Sequence, residues 1–230
     1  MVIHGLQKMT LLDFPGKVAC TIFLGWCDFR CPFCHNWELI DGTAPAQLDD
    51  LQLLSFLKKR QGLLEGVAVT GGEPMLNRDL LQLLRDIRQL GYKTKVDTNG
   101  NHPEMLKKIL DEGLADYIAM DVKNSRGKYG HTIGLESFDT ANVEKSIDIL
   151  INSGIDYEFR TTVVNELHDE DSFRGIGEMI QGAEKYFLQK FTDRDTVPFD
   201  GLTSPSDDEM RKYLDIIRPF VKSAQLRGVD

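Results

Sequence analysis

The order of segments in this chain of 230 residues predicts an α/β fold with a sheet of parallel strands in a single domain over residues 1–230. Three observations lead there. Short β-rich runs alternate with segments of helical periodicity, strand first, six times, and such alternation builds parallel sheets through right-handed crossovers. A closed eight-fold barrel usually takes about 250 residues, so six units suggest either an open partial barrel or a doubly wound sheet. No stretch rich in Pro, Gly or Ser divides the chain, and no low-complexity tract interrupts it.

The first strand is expected at 18–24, an apolar run that reads as buried. Residues 48–59 form a helix, with Leu51, Leu54, Phe56 and Leu57 on overlapping turns. The second strand, 66–70, runs into Gly71-Gly72. Asn77 can cap a helix over 78–90, which Gly91 ends. The third strand is 92–96; Pro103 then suits the first turn of a helix that Gly113 closes. The fourth strand is 117–122, followed by a helix over 137–153 that stops at Gly154. The fifth strand, 156–164, leads to a helix over 171–183, and the sixth, 186–191, reads as a barrel-closing strand. A last helix spans 206–221, with a bend at Pro219. Two connections, 124–135 and 192–205, are long and polar; such loops in a compact domain are often functional, though mobile surface is the commoner explanation for any one of them.

Composition narrows the function. With 41% hydrophobic and 27% charged residues the chain can bury a full core. A formal net charge of −9 argues against a nucleic-acid partner, because phosphate binding needs a basic face. The N-terminal stretch lacks the apolar core of a signal peptide. No segment approaches the ~20 apolar residues of a membrane span. A cytoplasmic protein without a membrane partner is expected. In a reducing cytosol, clustered cysteines bind metal more often than they pair. Cys20 stands apart within the first strand and reads as a small buried hydrophobe.

The other cysteines, Cys27, Cys31 and Cys34, follow the first strand with spacing C-x3-C-x2-C. Thiolates are soft ligands that suit zinc or iron–sulfur clusters. Three are offered where four are usual. His35 can supply a fourth for a structural Cys3His zinc site; the other reading is a 4Fe–4S cluster with one iron open for chemistry. In parallel α/β folds active sites form at the carboxyl ends of strands, and those ends carry a polar set here. The second strand ends in Gly71-Gly72-Glu73-Pro74, the third in Asp97-Thr98-Asn99-Gly100, the fourth in Asp121-Val122-Lys123, and the fifth holds Arg160. Each alone fits an ordinary turn or surface charge. Gathered on one rim beside a metal site, they point to catalysis.

The triplet Cys27, Cys31 and Cys34, with Phe33 before the last cysteine, resembles the signature of radical S-adenosylmethionine enzymes, and Gly71-Gly72-Glu73 resembles their second motif. His35-Asn36 and Asp97-Thr98-Asn99-Gly100 resemble the group that activates glycyl-radical enzymes. The stretch from Gly5 to Lys17 is similar to activases of anaerobic ribonucleoside-triphosphate reductase. The resemblance implies an open partial (β/α)6 barrel. It implies that Cys27, Cys31 and Cys34 ligate three irons of a 4Fe–4S cluster, and that S-adenosylmethionine chelates the fourth through its amino and carboxylate groups. Gly71 and Gly72 would let the backbone approach the methionine moiety, and Glu73 would accept from its ammonium. Phe33, Thr98 and Asp121 fall within the cofactor-binding set. Lys123 and Arg160 would sit near the carboxylate or ribose. Asp97 would bind the adenosyl ribose or, with Asp121, a cation; salt bridges from Lys123 or Arg160 are the alternative to that cation. The implied partners are a glycyl-radical enzyme, taken as anaerobic ribonucleotide reductase, and an electron donor of flavodoxin or ferredoxin type. The loop at 124–135 would rearrange around the incoming partner, with Lys123, Arg126 and Lys128 steering an acidic surface. Four cysteines are too few for a second cluster. Two competitors remain: a radical enzyme acting on a small molecule, and a non-catalytic iron–sulfur or zinc protein.

Overall fold

The computed structural model describes residues 1–229. Its elements, in chain order, begin with strands β1 (Val2–Ile3), β2 (Gly5–Thr10) and β3 (Ala19–Leu24), then helix α1 (Trp37–Asp41). Strand β4 (Leu48–Asp49) leads to α2 (Asp50–Lys59), β5 (Gly66–Gly71), α3 (Leu80–Gln89), β6 (Lys93–Thr98), α4 (Pro103–Asp111) and β7 (Tyr117–Asp121). There follow α5 (Arg126–Thr132), α6 (Ala141–Asn152), β8 (Asp156–Val163), α7 (Glu170–Met179), β9 (Tyr186–Lys190), α8 (Asp207–Ile217) and β10 (Ala224–Arg227). The fold is α/β, as expected, and its mostly parallel sheet is not closed. Among the described residues no helix is long and apolar enough to cross a membrane.

The chain forms two compact units. The first holds Met1–Asp28, Glu38–Thr98 and Glu104–Ile118. In it β3 pairs parallel with β5, from Ala19 opposite Gly66 to Leu24 opposite Gly71, and β5 pairs parallel with β6. Strand β2 adds antiparallel to β3, with a register shift between Gln7 and Thr10. Five of the six β3 residues are buried, the pattern of a strand covered on both faces. Helix α3 buries Leu80, Leu83, Leu84 and Ile87, a spacing that gathers them into one stripe. Each such side chain stabilises the unit by about 1.5–3 kcal/mol relative to exposure. Helix α2 starts in a capping box between Asp49 and Gln52. Strand β7 is entered through Asp116, whose N–H donates to Thr94 O.

The second unit holds Phe29–Trp37, Asn99–Pro103 and the chain from Ala119 on. Strand β8 pairs parallel with β9, and β9 with β10. Capping boxes start α7 at Asp169 and α8 at Ser206, and Phe173 of α7 stacks on Tyr213 of α8 at 4.4 Å.

Several elements differ from expectation. The connection at 124–135 is largely helix α5. Its two glycines lower its intrinsic propensity, so it is held by tertiary contacts: Tyr129 and Thr132 are fully buried, and Asn124 Nδ2 donates to Thr132 Oγ1 and Leu167 O. The charges expected to steer a partner are offset, Arg126 by Glu144 and Lys128 by Asp169. The following helix starts at Ala141 rather than 137. The N-cap of α3 is Asp79, not Asn77, because a 3-10 turn over Pro74–Leu76 intervenes and Asn77 ends it. Strand β9 is followed by a further parallel strand, so it does not close a barrel. Strands β2 and β10 and the short α1 carry too little periodicity to be read from sequence. The expected bend at Pro219 is a 3-10 turn over Arg218–Phe220.

Candidate active site

In the first unit, the end of β5 is knitted onto the chain leaving β3. Gly72 N–H donates to Leu24 O at 2.9 Å and Glu73 N–H to Trp26 O at 2.7 Å. Gly71 adopts φ +125°, and a Cβ there would lie 2.2 Å from Leu24 O. A Cβ on Gly72 would lie 2.0 Å from Trp26 O. Only glycine fits either place. Sequence reading attributed these glycines to close approach by the cofactor; the neighbour they admit in the structure is the chain's own backbone. Trp26 itself has φ +72°, rare for a bulky residue and a strained conformation. Its N–H donates to Leu39 O. Cys27 follows directly, partly exposed, with its thiol 3.9 Å from Asp28 Oδ1.

Glu73 is fully buried. Its Oε1 accepts from Met75 N–H at 3.0 Å and from Thr98 Oγ1 at 2.9 Å, joining the ends of β5 and β6. Thr98 is therefore a support for Glu73. Asp97 is on the opposite face of β6, its side chain 17% exposed, and pairs with the ammonium of Lys95. Lys95 was not singled out from the sequence.

In the second unit, Phe29–Trp37 is docked on the residues around the end of α5. Arg30 N–H donates to Ile133 O at 2.8 Å. Gly134, at φ +72°, lets the Arg30 carbonyl approach where a Cβ would stand 2.3 Å away. The Phe29 ring meets Phe138 edge-on at 5.3 Å. Cys31 is buried, Cys34 is partly exposed, and Cys34 N–H donates to Cys31 O. Burial pushes the Cys31 thiol up to about 12, with Lys123 pulling the other way, and burial also raises Cys34.

Beside them is a charged group. Lys123 Nζ stands 3.0 Å from Asp121 Oδ2 and 5.8 Å from the centre of the buried Phe33 ring. Arg160 Nε lies 2.8 Å from Asp121 Oδ1. Burial opposes the charge on Asp121, but Arg160 and then Lys123 outweigh it and hold the carboxyl well below the usual range. Burial likewise opposes the Lys123 ammonium, and Asp121 overcomes it. The Lys123 ammonium opposes the effect of burial on Cys31 and Cys34, thiols that must lose protons to bind metal. The salt bridges named as the alternative to a cation are thus present at Asp121, and Lys95 plays that part at Asp97.

Sequence reading missed what holds Lys123. Its carbonyl accepts from His168 Nε2–H at 2.8 Å, while His168 Nδ1 accepts from Val164 N–H at 3.1 Å. Burial lowers the His168 pKa, and accepting from Val164 N–H at Nδ1 leaves Nε2 as the donor to Lys123 O. Lys123 N–H donates to the Tyr129 hydroxyl at 3.3 Å. No motif marks His168 or Tyr129; only the fold brings them to Lys123. His35 Nε2 hydrogen-bonds Thr192 O at 2.7 Å, and the ring stacks on Phe191. One of its two nitrogens is thereby committed away from metal. Cys20 is fully buried, as expected.

Among the described residues no three His, Cys, Asp or Glu side chains are gathered as a metal site. The fit of an iron–sulfur cluster rests on donor chemistry: Cys27, Cys31 and Cys34 are not joined in disulfides, fall within eight residues of sequence, and two of them lie near the Lys123 ammonium. Residues 21–173 match the radical SAM superfamily. The chain belongs to that superfamily. The match takes in all three cysteines, the Gly71-Gly72-Glu73 turn and Arg160.

This radical SAM chain is 27% identical over its whole length, and over 97% of the relative, to MJ1227 of Methanocaldococcus jannaschii, a protein provisionally named a glycyl-radical enzyme activating enzyme. It is 32% identical to the pyruvate formate-lyase-activating enzyme of Clostridium pasteurianum, over 53% of this chain and 52% of that one. It is 30% identical to a probable GTP 3′,8-cyclase of Saccharolobus solfataricus, over 65% of this chain and 48% of that protein. The chain thus spans about half the length of the last two. A solved domain of a pyruvate formate-lyase-activating enzyme from Bacteroides vulgatus shares the fold, with TM-score 0.58 at 19% identity over 71% of this chain and 99% of the domain.

Proposed function

We propose that this protein cleaves S-adenosylmethionine reductively and installs a glycyl radical on a partner enzyme, anaerobic ribonucleoside-triphosphate reductase, with electrons from a flavodoxin- or ferredoxin-type donor. In this reading residues 1–230 act as one catalytic domain. A 4Fe–4S cluster would supply one electron to S-adenosylmethionine, whose adenosyl fragment then takes a hydrogen atom from the partner's glycine. Cys27, Cys31 and Cys34 would hold the cluster, and Phe33 would shield it. Gly71 and Gly72 fix the course of the chain into Cys27. Glu73 and the carbonyls beside it would accept from the methionine ammonium, with Thr98 holding Glu73 in place. Lys123 and Arg160, charged and anchored on Asp121, would meet the carboxylate or ribose. Asp97 would accept from the ribose hydroxyls.

The observation that carries the reading is the hydrogen-bonded interlock of the Gly-Gly-Glu turn with the residues leading into Cys27. A structural metal site has no need of such a turn. Similarity along the full length of MJ1227 supports the activase class. A second reading, action on a small molecule, is favoured by the likeness to the cyclase, yet that likeness leaves half of the cyclase unmatched.

The test is anaerobic reconstitution, reduction in the presence of S-adenosylmethionine, and measurement of 5′-deoxyadenosine with and without the reductase. Cleavage, together with a glycyl-radical doublet in electron paramagnetic resonance, is expected. Cys27→Ala, Cys31→Ala and Cys34→Ala should each abolish both signals, and Cys20→Ala should keep them. Full cleavage by Cys31→Ala would remove the cluster assignment. Cleavage stimulated by GTP and not by the reductase would favour the small-molecule reading.

A further inference from the structure

We propose that Lys95 is a built-in cation for the S-adenosylmethionine site: its ammonium neutralises and aims Asp97, so that no metal ion is needed there. The inference rests on the ribose role proposed for Asp97.

Strand β6 presents Lys93, Lys95 and Asp97 on one face and Thr94, Val96 and Thr98 on the other, because side chains alternate along a strand. Lys93 reaches solvent and pairs with Asp116 at 2.8 Å. Lys95, one step further along the same face, has a side chain only 3% exposed. Lysine is almost never buried to that degree unless paired, and its partner is Asp97. The two ends of the pair differ: the ammonium is enclosed, while the carboxylate stands at the carboxyl end of the strand and is 17% exposed. That is the arrangement of a cation placed behind an acceptor.

The neighbouring strands make room for it. In register, Lys95 faces Ala68 of β5, and Ala68 faces Thr21 of β3. On this face β5 presents Gly66, Ala68 and Thr70, all small. The long lysine stem lies beside short neighbours. Thr21 donates to Asp13 Oδ2 at 2.6 Å, so the row carries polar groups beside the lysine stem. A buried ion pair is a weak source of stability, since apolar residues of similar volume serve as well or better. Here it gives an ionised acceptor at the strand end. Hydroxyl groups bond more strongly to a carboxylate than to a neutral acceptor. A carboxylate has about four acceptor positions, so accepting from Lys95 does not exclude a ribose hydroxyl.

The test uses the reconstituted holoprotein and reads the dissociation constant of S-adenosylmethionine by equilibrium dialysis, in sodium, potassium, ammonium and magnesium salts at equal ionic strength. Wild type should bind equally well in all four. Lys95→Met keeps the stem and removes the charge; it should weaken binding about tenfold and regain part of the loss in potassium or ammonium. Lys95→Arg should keep most of the affinity. Asp97→Asn should bind weakly in every salt, and Lys95→Met added to it should cost nothing more. Wild-type binding that depends on one particular cation overturns the inference, whether or not Lys95→Met folds. So does wild-type affinity in a folded Lys95→Met protein, or a loss that no salt repairs. Absence of binding by the wild type would instead sink the function on which the inference rests.

Discussion

A single methyl group at Gly72 would stand 2.0 Å from the carbonyl oxygen of Trp26, and Trp26 is the residue before Cys27, a proposed cluster ligand. The contact is backbone to backbone, so no side chain can swing aside. Gly72→Val should therefore displace the run into Cys27 and cost about 3 kcal/mol, the upper end of the usual overpacking range. Both the visible absorption of the reconstituted cluster and the affinity for S-adenosylmethionine should fall. A variant that assembles a full cluster and loses only cofactor affinity would show that the glycine serves the cofactor alone. At this scale the sequence is informative where chemistry is local. Three cysteines in eight residues and a Gly-Gly-Glu turn carry their meaning in their spacing. Lys95, His168 and Tyr129 do not, because a buried lysine or histidine is defined by partners far along the chain: His168 touches Lys123 across 45 residues. The aspartates fall between these cases. Asp97 and Asp121 could be picked out at strand ends, but only the folded chain shows that each already faces a cation.

Elements were legible where a long period met a clear stop. Helix α3, with its stripe of leucines and Gly91 at φ +89°, ends where expected. Helix α5 was not legible, since its glycines argue for a loop and its stability comes from the burial of Tyr129 and Thr132. The connection between β6 and β7 offers a prediction at this level. Asp116 accepts from Thr94 N–H at 2.9 Å and pairs with Arg88 and Lys93. Burial pushes its pKa up, but Lys93, the Thr94 amide and Arg88 together bring it below the usual value. A carboxylate lowered in the folded state stabilises fully above its unfolded pKa of about 3.9. The contribution is lost as pH falls through the folded value. Asp116→Asn should thus lower stability by about 1 kcal/mol at pH 7, a figure kept small because the group is partly screened. The gap between variant and wild type should close in denaturant titrations once pH falls below the usual carboxylate range and through the lowered folded value. A gap that persists unchanged there would mean that shape, not charge, is what Asp116 contributes.

For the whole molecule, the alternation of strands and helices was enough to predict an α/β fold on a parallel sheet, because crossover rules leave few other ways to connect such elements; the antiparallel strand β2 was not foreseen. The two compact units were not legible, since no change in composition marks where the chain passes from one to the other. The stretch from Cys27 to Cys34 is such a passage: Asp28 ends one segment of the first unit and Phe29 begins the second. Metal binding here should act on stability as well as chemistry. The thiols of Cys31 and Cys34 are raised by burial when no metal is bound, and a cluster needs them as thiolates, so its binding energy must also cover their deprotonation. A group that binds only the folded chain stabilises it in proportion to the logarithm of its excess over the dissociation constant, ~3–4 kcal/mol at a hundred- to thousand-fold excess. Removing iron with a chelator under anaerobic conditions should therefore lower the Tm by several degrees. It should also speed hydrogen exchange over residues 25–36 more than in α3, whose leucine stripe owes nothing to the metal. The Cys31→Ala protein should melt at the chelated value and be indifferent to chelator. If iron removal leaves both the Tm and the exchange of this segment unchanged, the cysteine loop is held by Ile133, Gly134 and Phe138 alone, and the cluster adds chemistry without adding structure.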